Sequence, residues 1–325
     1  NTQATIMKNE TVCILGGTGY VGQALAHRLS RYGHDVHILT RHRARHRALG
    51  INPAVKLIEC NVHDAYQLLQ QIDGCSVIIN LVGILNETGP GNSFRRAHVD
   101  LPRAVIKAMQ NTGVRRLLHM SALNADASEQ HSRYLKTKGE AEDLVHAAGE
   151  QGLLVTSFRP SVIFGPGDSF FNRFAGLLKL SPLAFPLACP ESRFAPVYVG
   201  DVVEAFCRSI DPATAGERLD LCGPEIFTLR ELVEYTRDQT GSHCRIIGLG
   251  DGLSRLQALA LGMAPGKPFT LDNYYSLQKH SICVNNALPE LGIQPTPVAA
   301  VVPAYLAGKS ARRRYPELRR RAGRN

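Results

Sequence analysis

The sequence predicts an α/β fold of the Rossmann type, a doubly wound parallel sheet with a smaller C-terminal α/β substrate lobe. Strand-like apolar segments alternate with helix-like segments through the first half of the chain, which is typical of parallel strands joined by right-handed crossovers. The strand-like segments are apolar along their whole length, as expected when helices cover both faces of a sheet. The first of them runs directly into a glycine-rich turn and a helix.

The predicted elements follow one another in a regular order. The predicted strands are Thr11–Gly16, Asp35–Thr40, Val55–Cys60, Ser76–Val82, Arg116–Ser121 and Leu154–Phe158. The predicted helices between them are Tyr20–Tyr32, Ala65–Ile72, Phe94–Asn111 and Tyr134–Gly149. Such a succession predicts one parallel sheet with helices on both sides.

After Arg159 the pattern loosens, because Pro and Gly become frequent and the segments become short. We assign to a smaller lobe a strand near Ala195–Val199, a helix from Asp201, a strand near Leu219–Cys222 and a helix over Thr228–Gln239. The predicted domains are a Rossmann core at 8–165, a substrate lobe at 166–308 that is interleaved with the core, and a basic tail at 309–325.

The stretch Phe174–Pro190 is apolar but is interrupted by three prolines. It is either a substrate-side lid or interfacial patch, or a segment that packs inside the lobe, and packing is the commoner explanation. An apolar lid would suit a small or lipid-like substrate.

The formal net charge of +9 is concentrated at the end of the chain. The segment Lys309–Asn325 holds eight basic side chains and the single carboxylate of Glu317, a net +7 that leaves +2 for the rest. Such a tail binds an anionic membrane surface or an acidic protein, or it is simply a solvated end. A near-neutral body argues against a specific nucleic-acid partner.

The eight cysteines occur singly, without the spacing of a metal site, so we expect no metal and buried free thiols in a reducing compartment.

No apolar run reaches the ~18 residues of a membrane-spanning helix. Residues 1–10 are polar and lack the apolar core of a secretory leader. We therefore expect a cytoplasmic protein, with peripheral attachment to the inner face of a membrane as an option for the tail.

A glycine motif follows the first predicted strand, and it indicates a dinucleotide site. Its residues are Gly16, Gly17, Thr18, Gly19, Tyr20, Val21 and Gly22. Glycines at this spacing permit a tight turn, a close approach of pyrophosphate to the backbone and close packing of the helix on the strand. The N-terminus of the helix then offers unpaired N–H groups to the phosphates.

The end of the second strand favours NADP(H) over NAD as the cofactor. An acidic residue there would bind the 2′-hydroxyl of the adenosine ribose, but the sequence has Thr40 and Arg41. A guanidinium meets a 2′-phosphate with paired hydrogen bonds, and a hydroxyl adds another. Arg43, Arg45 and Arg47 add positive charge, or they form a solvated helix face.

Other strand ends complete the predicted cofactor site. Leu81, Val82 and Gly83 follow the fourth strand, and their backbone is expected beneath the ribose and the pyrophosphate. Asn61 and Val62 follow the third strand and are expected beside the adenine.

The candidate catalytic residues are Ser121, Tyr134 and Lys138. Tyr134 and Lys138 are four residues apart and share one face of the predicted helix. An ammonium beside a phenol stabilises the phenolate and lowers the pKa of the tyrosine from about 10, which makes it a usable acid or base. Ser121 ends the fifth strand, where its hydroxyl is suited to orienting a substrate carbonyl.

These motifs, together with the segment Arg159–Gly165, resemble the short-chain dehydrogenase/reductase superfamily in its extended or atypical, epimerase/dehydratase-like branch. His98-Val99-Asp100, His119–Leu123, Pro196–Val202 and Leu291–Pro297 are similar to the group around the dehydrogenase-like accessory subunit of respiratory complex I and its bacterial relatives. The resemblance implies bound NADP(H), Tyr134 as acid/base, Lys138 on the nicotinamide ribose, and Pro160 and Val162 along the nicotinamide. His98 stands where extended members often carry an asparagine.

Two functions fit the sequence. The first is an NADP(H)-dependent oxidoreductase or epimerase that acts on a small, lipid-like or quinone-like carbonyl compound. The second is a catalytically silent, cofactor-bound protein with a structural, assembly or redox-sensing role near respiratory or membrane components. The intact set of Ser121, Tyr134 and Lys138 favours the first, and the resemblance to an accessory subunit favours the second.

Overall fold

The computed structural model describes residues 9–89, 91–181 and 183–306. They divide into two compact units, and the chain passes between the units several times. The first unit takes residues up to Pro160, then Gly200–Leu221 and Asn285–Ile293. The second takes Ser161–Val199, Cys222–Val284 and the rest. The predicted basic tail at 309–325 lies outside the described residues.

The first unit is built on a parallel sheet of seven strands. Its strands are β1 (Thr11–Leu15), β2 (Asp35–Thr40), β3 (Val55–Glu59), β4 (Val77–Asn80), β5 (Arg116–Met120), β6 (Leu154–Pro160) and β11 (Arg218–Leu221). Their spatial order is β11-β6-β5-β4-β1-β2-β3. Strands β1 and β4 lie at its centre, and the order reverses between them, which opens a crevice at their carboxyl ends.

Helices cover the sheet of the first unit. They are α1 (Tyr20–Arg31), α2 (Ala65–Ile72), α3 (Leu101–Thr112), α4 (Arg133–Glu150) and α6 (Val199–Arg208). The central strand β1 is shielded completely, since Val12, Cys13, Ile14 and Leu15 have no exposed surface. This burial explains why the strand is apolar along its length rather than alternating.

The observed elements follow the predicted ones closely, with three differences. The segment predicted as one helix from Phe94 begins as a π-helical turn, Arg95–Asp100, before α3. The helix predicted from Asp201 was assigned to the smaller lobe, but it is α6 and lies in the first unit. The strand predicted near Leu219–Cys222 was assigned to the same lobe, and this assignment is also wrong. As β11 it pairs in parallel with β6 and extends the main sheet, a pairing between distant segments that no local pattern reveals.

The second unit holds three two-stranded sheets. The pairs are β7 (Ile163–Phe164) with β10 (Val197–Tyr198), β8 (Ala184–Leu187) with β13 (Arg245–Gly248), and β9 (Arg193–Phe194) with β12 (Phe227–Thr228). Its helices are α5 (Phe171–Leu180), α7 (Leu229–Thr240), α8 (Asp251–Met263), α9 (Leu271–Leu277) and α10 (Val298–Leu306). Aromatic side chains fill its core, with Phe164, Phe171 and Phe194 buried among aliphatic neighbours.

The apolar stretch Phe174–Pro190 divides between the two roles considered for it. Ala175 and Leu178 of α5 and Leu187 of β8 are buried in the core, as ordinary packing predicts. Leu180, the last residue of α5, and Leu183, in the connection between α5 and β8, are exposed by 82% and 86%.

Cys222 and Cys283 form a disulfide in the second unit, across 61 positions of sequence. The prediction that all cysteines are free thiols is therefore wrong for this pair. The two residues are far apart along the chain, and only the fold brings their Cα atoms to 6.0 Å, within the reach of a disulfide. The other six cysteines are free and buried.

Candidate active site

The glycine turn between β1 and α1 has the shape that a phosphate cradle requires. Gly16 has a φ of +79°, a conformation that residues with a Cβ rarely adopt. A Cβ on Gly22 would lie 2.5 Å from the Gly16 oxygen and 2.5 Å from the Gly17 Cα, so the helix can approach the turn only with glycine there. The turn is closed by a 3.0 Å hydrogen bond from Gly19 N–H to the Gly16 oxygen.

The N-terminus of α1 faces this turn without a side-chain cap. Gly19 is the N-cap, so no side chain occupies the first N–H groups, and the first turn contains no acidic residue. Tyr20 and Val21 begin the helix and are half-buried. The positive end of the helix is thus available to an anion.

A cavity of about 440 Å³ opens above the carboxyl ends of β1, β2 and β4. Of the predicted cofactor residues, Gly16, Thr18, Gly19, Thr40, Arg41, Val62, Leu81, Val82 and Gly83 line it. Asn61 lines an adjoining depression that it shares with Arg41. The structure therefore brings together the ends of the first four strands, which the sequence separates by more than sixty positions.

Three arginines surround this cavity, and we call Arg41, Arg45 and Arg96 the basic rim. All three are exposed, and none forms an ion pair within the part of the chain that the structure describes. The pKa of His63 on the cavity wall is lowered by burial and then by the charges of Arg96 and Arg41, so both guanidinium groups lie near this imidazole. The rim is a cationic surface suited to phosphate.

Helix α4 places Lys138 behind the cavity wall. Its side chain is buried, and its Nζ donates a 2.9 Å hydrogen bond to the Met120 oxygen. A Cβ on Gly83 would lie 3.2 Å from the same Nζ, so the ammonium adjoins the backbone of a cavity residue. Burial lowers the pKa of Lys138 to about 8, and the Glu142 carboxylate opposes that shift.

Tyr134 lies one turn before Lys138 on the same helix and is half-buried. Its ring makes edge contacts with Phe94, at 6.0 Å between centroids, and with His98, at 5.6 Å. The helix begins at a fixed position, because the Ser132 hydroxyl caps it by accepting from Leu135 N–H. Packing and capping together hold the ring of Tyr134 against Phe94 and His98 at the start of α4.

His98 connects the cavity wall to α4. Its Nε2 accepts a 3.1 Å hydrogen bond from Ile84 N–H, and its Nδ1 lies 2.9 Å from the Thr137 hydroxyl. That hydroxyl donates to the Arg133 oxygen, so Nδ1 must carry the proton and donate to it. Burial, followed by the charge of Lys138, lowers the pKa of His98 to about 2, which keeps the ring neutral in this tautomer.

A second buried imidazole lies beneath Lys138. Asn80 and His119 are paired positions on β4 and β5, and the Asn80 amide donates to His119 Nδ1 at 3.2 Å while its oxygen accepts from Val82 N–H. Burial and the charge of Lys138 lower the pKa of His119 to about 3. We call Asn80, His98, His119 and Lys138 the buried cluster.

Residues 12–222 match the NAD dependent epimerase/dehydratase family. The chain belongs to this family. The match covers the glycine turn, the basic rim and the buried cluster, and it confirms the resemblance to the extended branch of the short-chain dehydrogenase/reductase superfamily.

Similar proteins fall into two groups. The chain is 29% identical to the mitochondrial NADH dehydrogenase (ubiquinone) 1 alpha subcomplex subunit 9 of Mus musculus, over 88% of this chain and 76% of that protein. It is 27% identical to 2-alkyl-3-oxoalkanoate reductase of Stenotrophomonas maltophilia, over 48% of this chain and 52% of that protein. The relatives of this chain therefore include both a protein named as a respiratory subunit and one named as a reductase.

A solved structure supports the fold. DesIV, a dTDP-glucose 4,6-dehydratase from Streptomyces venezuelae with bound NAD, superposes with a TM-score of 0.72 at 19% identity, over 95% of this chain and 98% of that one. The seven-stranded parallel sheet with its flanking helices thus has the Rossmann-like fold of epimerase/dehydratase structures.

Ser121 takes an unexpected position for a residue of an epimerase/dehydratase active site. Its side chain is 3% exposed, and its hydroxyl donates a 2.9 Å hydrogen bond to Glu142 Oε2. The same carboxylate accepts from Arg159 at 2.8 Å and lies 3.2 Å from Arg218. The hydroxyl thus belongs to an ionic network around the buried carboxylate of Glu142 on α4.

Pro160 and Val162 fall in different units. Pro160 ends β6 and is buried in the first unit. Val162 packs against the aromatic core of the second unit.

Sequence reasoning missed several residues that the structure places at the site. Arg96, His63, Asn92 and Ser93 line the cavity, although none belongs to a motif of the epimerase/dehydratase family that the sequence displays. A signal for Arg96 exists in hindsight, since it precedes by two residues the His98 that the sequence singled out.

Proposed function

We propose that this chain binds NADP(H) and reduces the carbonyl group of a small or lipid-like substrate, with Tyr134 as the acid/base. The observation that carries the proposal is the position of the Lys138 ammonium, buried on the same helix as Tyr134 and adjoining Gly83 of the cavity. The relative that is named as a reductase of a 2-alkyl-3-oxoalkanoate supports a ketone on an alkyl chain as the substrate class.

The residues of the cavity fit a phosphorylated dinucleotide. The cradle leaves no room for a Cβ at Gly22, and the amide groups at the start of α1 have no side-chain cap. The pyrophosphate would bind there, and the nicotinamide ribose would lie toward Gly83 and Lys138. The exposed guanidinium of Arg41, directly after β2 and beside Thr40, would bind the 2′-phosphate.

Bound NADPH would supply the hydride, and the chain itself would manage the proton. Tyr134 would donate its phenolic proton to the carbonyl oxygen as negative charge develops there. Lys138, protonated below its pKa of about 8, would stabilise the phenolate that remains. The hydrogen bonds of His98 to Ile84 and Thr137 would hold α4, and with it Tyr134, in place.

The test measures turnover directly. Purified protein is mixed with NADPH, and the nicotinamide absorbance is followed against a panel of 3-oxoacyl compounds, simple ketones and quinones. We expect oxidation of NADPH with at least one 3-oxo compound, and a loss of ~10²–10⁴-fold in kcat for Tyr134→Phe. Tight NADPH binding without turnover on the whole panel contradicts the catalytic proposal.

A second candidate function is that of a cofactor-bound structural subunit. The observation that favours it is the Ser121 hydroxyl, which is engaged by Glu142 inside the protein. The relatives named as subunits of NADH dehydrogenase point in the same direction. Under this function, NADPH stabilises the chain against unfolding, but Tyr134→Phe and the unchanged protein behave alike on the substrate panel.

A further inference from the structure

Helix α8 of the second unit packs with its small residues inward and its large residues outward. Ser254 and Ala258, one turn apart, are 1% and 0% exposed. The Ser254 hydroxyl accepts from Cys189 N–H at 3.1 Å, and Ala258 packs in a cluster with Ala188 and Tyr274. The side that faces the protein thus contains a hydroxyl and a methyl group rather than large apolar side chains.

The outer side of α8 is apolar. Its exposed large side chains are Leu253, Leu256, Leu259 and Met263, at 58%, 60%, 46% and 85%. They recur at intervals of three or four residues and therefore form one stripe along the helix. An ordinary surface helix shows the opposite arrangement, and a contiguous exposed apolar surface marks an interaction site.

The stripe continues onto neighbouring segments of the second unit. The Gln257 amide donates to the Pro186 oxygen at 3.0 Å, which joins α8 to β8. Ile247, the partner of Pro186 in β13, is 46% exposed, and Leu183, whose oxygen accepts from Arg245 N–H, is 86% exposed. We call α8 and these two residues the α8 face.

The charged side chains of the two segments that carry the α8 face are mostly basic, although α9, which packs on α8, adds the carboxylate of Asp272. The segments 171–187 and 245–270 carry five basic side chains and one carboxylate, that of Asp251. The basic residues are Arg173, Lys179, Arg245, Arg255 and Lys267. Asp251 accepts a hydrogen bond from the Tyr274 hydroxyl, so this carboxylate already has a partner inside the unit.

We propose that the α8 face is a docking surface for an anionic lipid membrane. The apolar stripe enters the boundary between headgroups and acyl chains, and the surrounding arginines and lysines contact lipid phosphates. Docking is peripheral, because no helix of the described residues has the length and apolar character to cross a bilayer. This inference does not depend on the proposed reductase activity.

Charge distinguishes a membrane from a second copy of the chain. In a two-fold dimer the same surface of each copy meets the other. The basic side chains of the two α8 faces would therefore face and repel each other. A surface of acidic lipids complements the same charges. The orientation of the stripe along one helix also matches a helix that lies in the plane of the interface.

The experiment compares two matched double variants by sedimentation with vesicles. Leu256→Glu with Met263→Glu changes positions of 60% and 85% exposure on the face, and Ile226→Glu with Val284→Glu changes positions of 60% and 95% exposure elsewhere in the second unit. Each adds two carboxylates to the full chain. On vesicles of phosphatidylglycerol and phosphatidylcholine we expect the first variant to lose ~10-fold or more of its binding and the second to retain it.

A fluorescent reporter gives an independent readout, because the chain contains no Trp. Leu256→Trp should shift its emission to the blue on anionic vesicles but not on pure phosphatidylcholine, and Val284→Trp should not shift. Thermal unfolding of every variant confirms that the fold is retained.

Three outcomes overturn the proposal. Equal vesicle binding by the two double variants would assign attachment to another part of the chain. The absence of binding to anionic vesicles by the unchanged protein would exclude a membrane. Concentration-dependent dimerisation that only Leu256→Glu with Met263→Glu abolishes, without vesicle binding, would assign the face to a second copy.

Discussion

The two sides of the cavity in the first unit handle positive charge in opposite ways. The basic rim of Arg41, Arg45 and Arg96 is exposed, and it has no ion pairs among the described residues. In the buried cluster, burial holds the pKa of His98 and His119 at about 2 and about 3, and that of Lys138 at about 8. The rim is suited to attracting an anion. The buried cluster is suited to holding α4 against the cavity wall and to carrying one proton, that of Lys138, which is lost at about pH 8.

The largest effect should come from the single ionisable lysine of the buried cluster. Lys138→Met keeps the length and the apolar stem of the side chain but removes the charge that stabilises the phenolate of Tyr134. We expect kcat with NADPH to fall ~10²–10⁴-fold, while the Kd of NADPH changes much less. In the unchanged protein, kcat should decline above pH 8 as Lys138 loses its proton.

Steady-state kinetics across pH and a fluorescence titration of NADPH measure both quantities. Lys136→Met is the matched control, because Lys136 is exposed on the same helix. It should leave both kcat and the Kd of NADPH unchanged. If Lys138→Met retains full activity, the buried cluster has no part in the chemistry. The cluster would then differ from the rim only in its contribution to the stability of the fold.

The next largest effect should come from the rim. Arg41→Ala with Arg96→Ala removes two charge-assisted contacts to phosphate, each worth about 1.5–3 kcal/mol. We expect the Kd of NADPH to rise ~100-fold or more, with little change for NADH. Salt should weaken NADPH binding more than NADH binding.

Arg95→Ala is the control for the rim, because Arg95 lies beside Arg96 but forms an ion pair with Asp100 at 3.9 Å. Isothermal titration with both nucleotides reads the result. An equal loss of NADH and NADPH affinity would show that the rim attracts the pyrophosphate and does not recognise the 2′-phosphate.

A third prediction uses the neutral imidazoles of the cluster. His98 and His119 stay unprotonated in the fold, whereas in the unfolded chain each takes up a proton near pH 6.5. Below that pH the unfolded chain binds more protons, so the stability decreases as the pH falls toward about 3. At pH 5 each neutral ring should lower the free energy of unfolding by about 2 kcal/mol, which is ~30-fold in the unfolding equilibrium constant.

Urea unfolding of His119→Leu at pH 8 and at pH 5 isolates this effect. At pH 8, the variant and the unchanged protein differ in their free energy of unfolding because the variant has lost packing and the Asn80 hydrogen bond. Between pH 8 and pH 5, the free energy of unfolding of the variant should increase by about 2 kcal/mol relative to that of the unchanged protein. A difference that is independent of pH would mean that His119 takes up its proton at the same pH in the folded and the unfolded chain.

The smallest effect should come from the link between His98 and α4. His98→Ala should reduce kcat ~10-fold, because α4 loses its connection to Ile84 and Tyr134 becomes less well positioned. Thr137→Val removes the other partner of the same hydrogen bond, and the double variant should be little worse than either single one. Additive losses would show that the two residues act separately.

The sequence predicts local features of this molecule well and distant pairings poorly. Strands β1–β6, the glycine turn and the spacing of Tyr134 and Lys138 each depend on neighbouring residues, and each is visible as a pattern. The position of β11 in the main sheet and the disulfide between Cys222 and Cys283 depend on segments far apart. No periodicity records such pairings.

Side-chain direction was the other limit of prediction. Ser121 ends β5 as expected, but only the structure shows that its hydroxyl is directed to Glu142. Likewise, the motif around His98 and His119 is visible in the sequence, but their partners Thr137 and Asn80 come from other elements. The rim was found in part, because Arg41 and Arg45 follow β2 directly, whereas Arg96 comes from a different segment.

The disulfide of the second unit has a consequence for how the polypeptide can be broken. Cys222 and Cys283 close the intervening residues into a covalent ring that contains α7, α8 and α9. A protease that cuts once within this ring, even in the exposed helix α8, leaves both ends tethered through sulfur. Such a nicked molecule keeps its full mass on a denaturing gel and separates into two pieces only when a reductant is added.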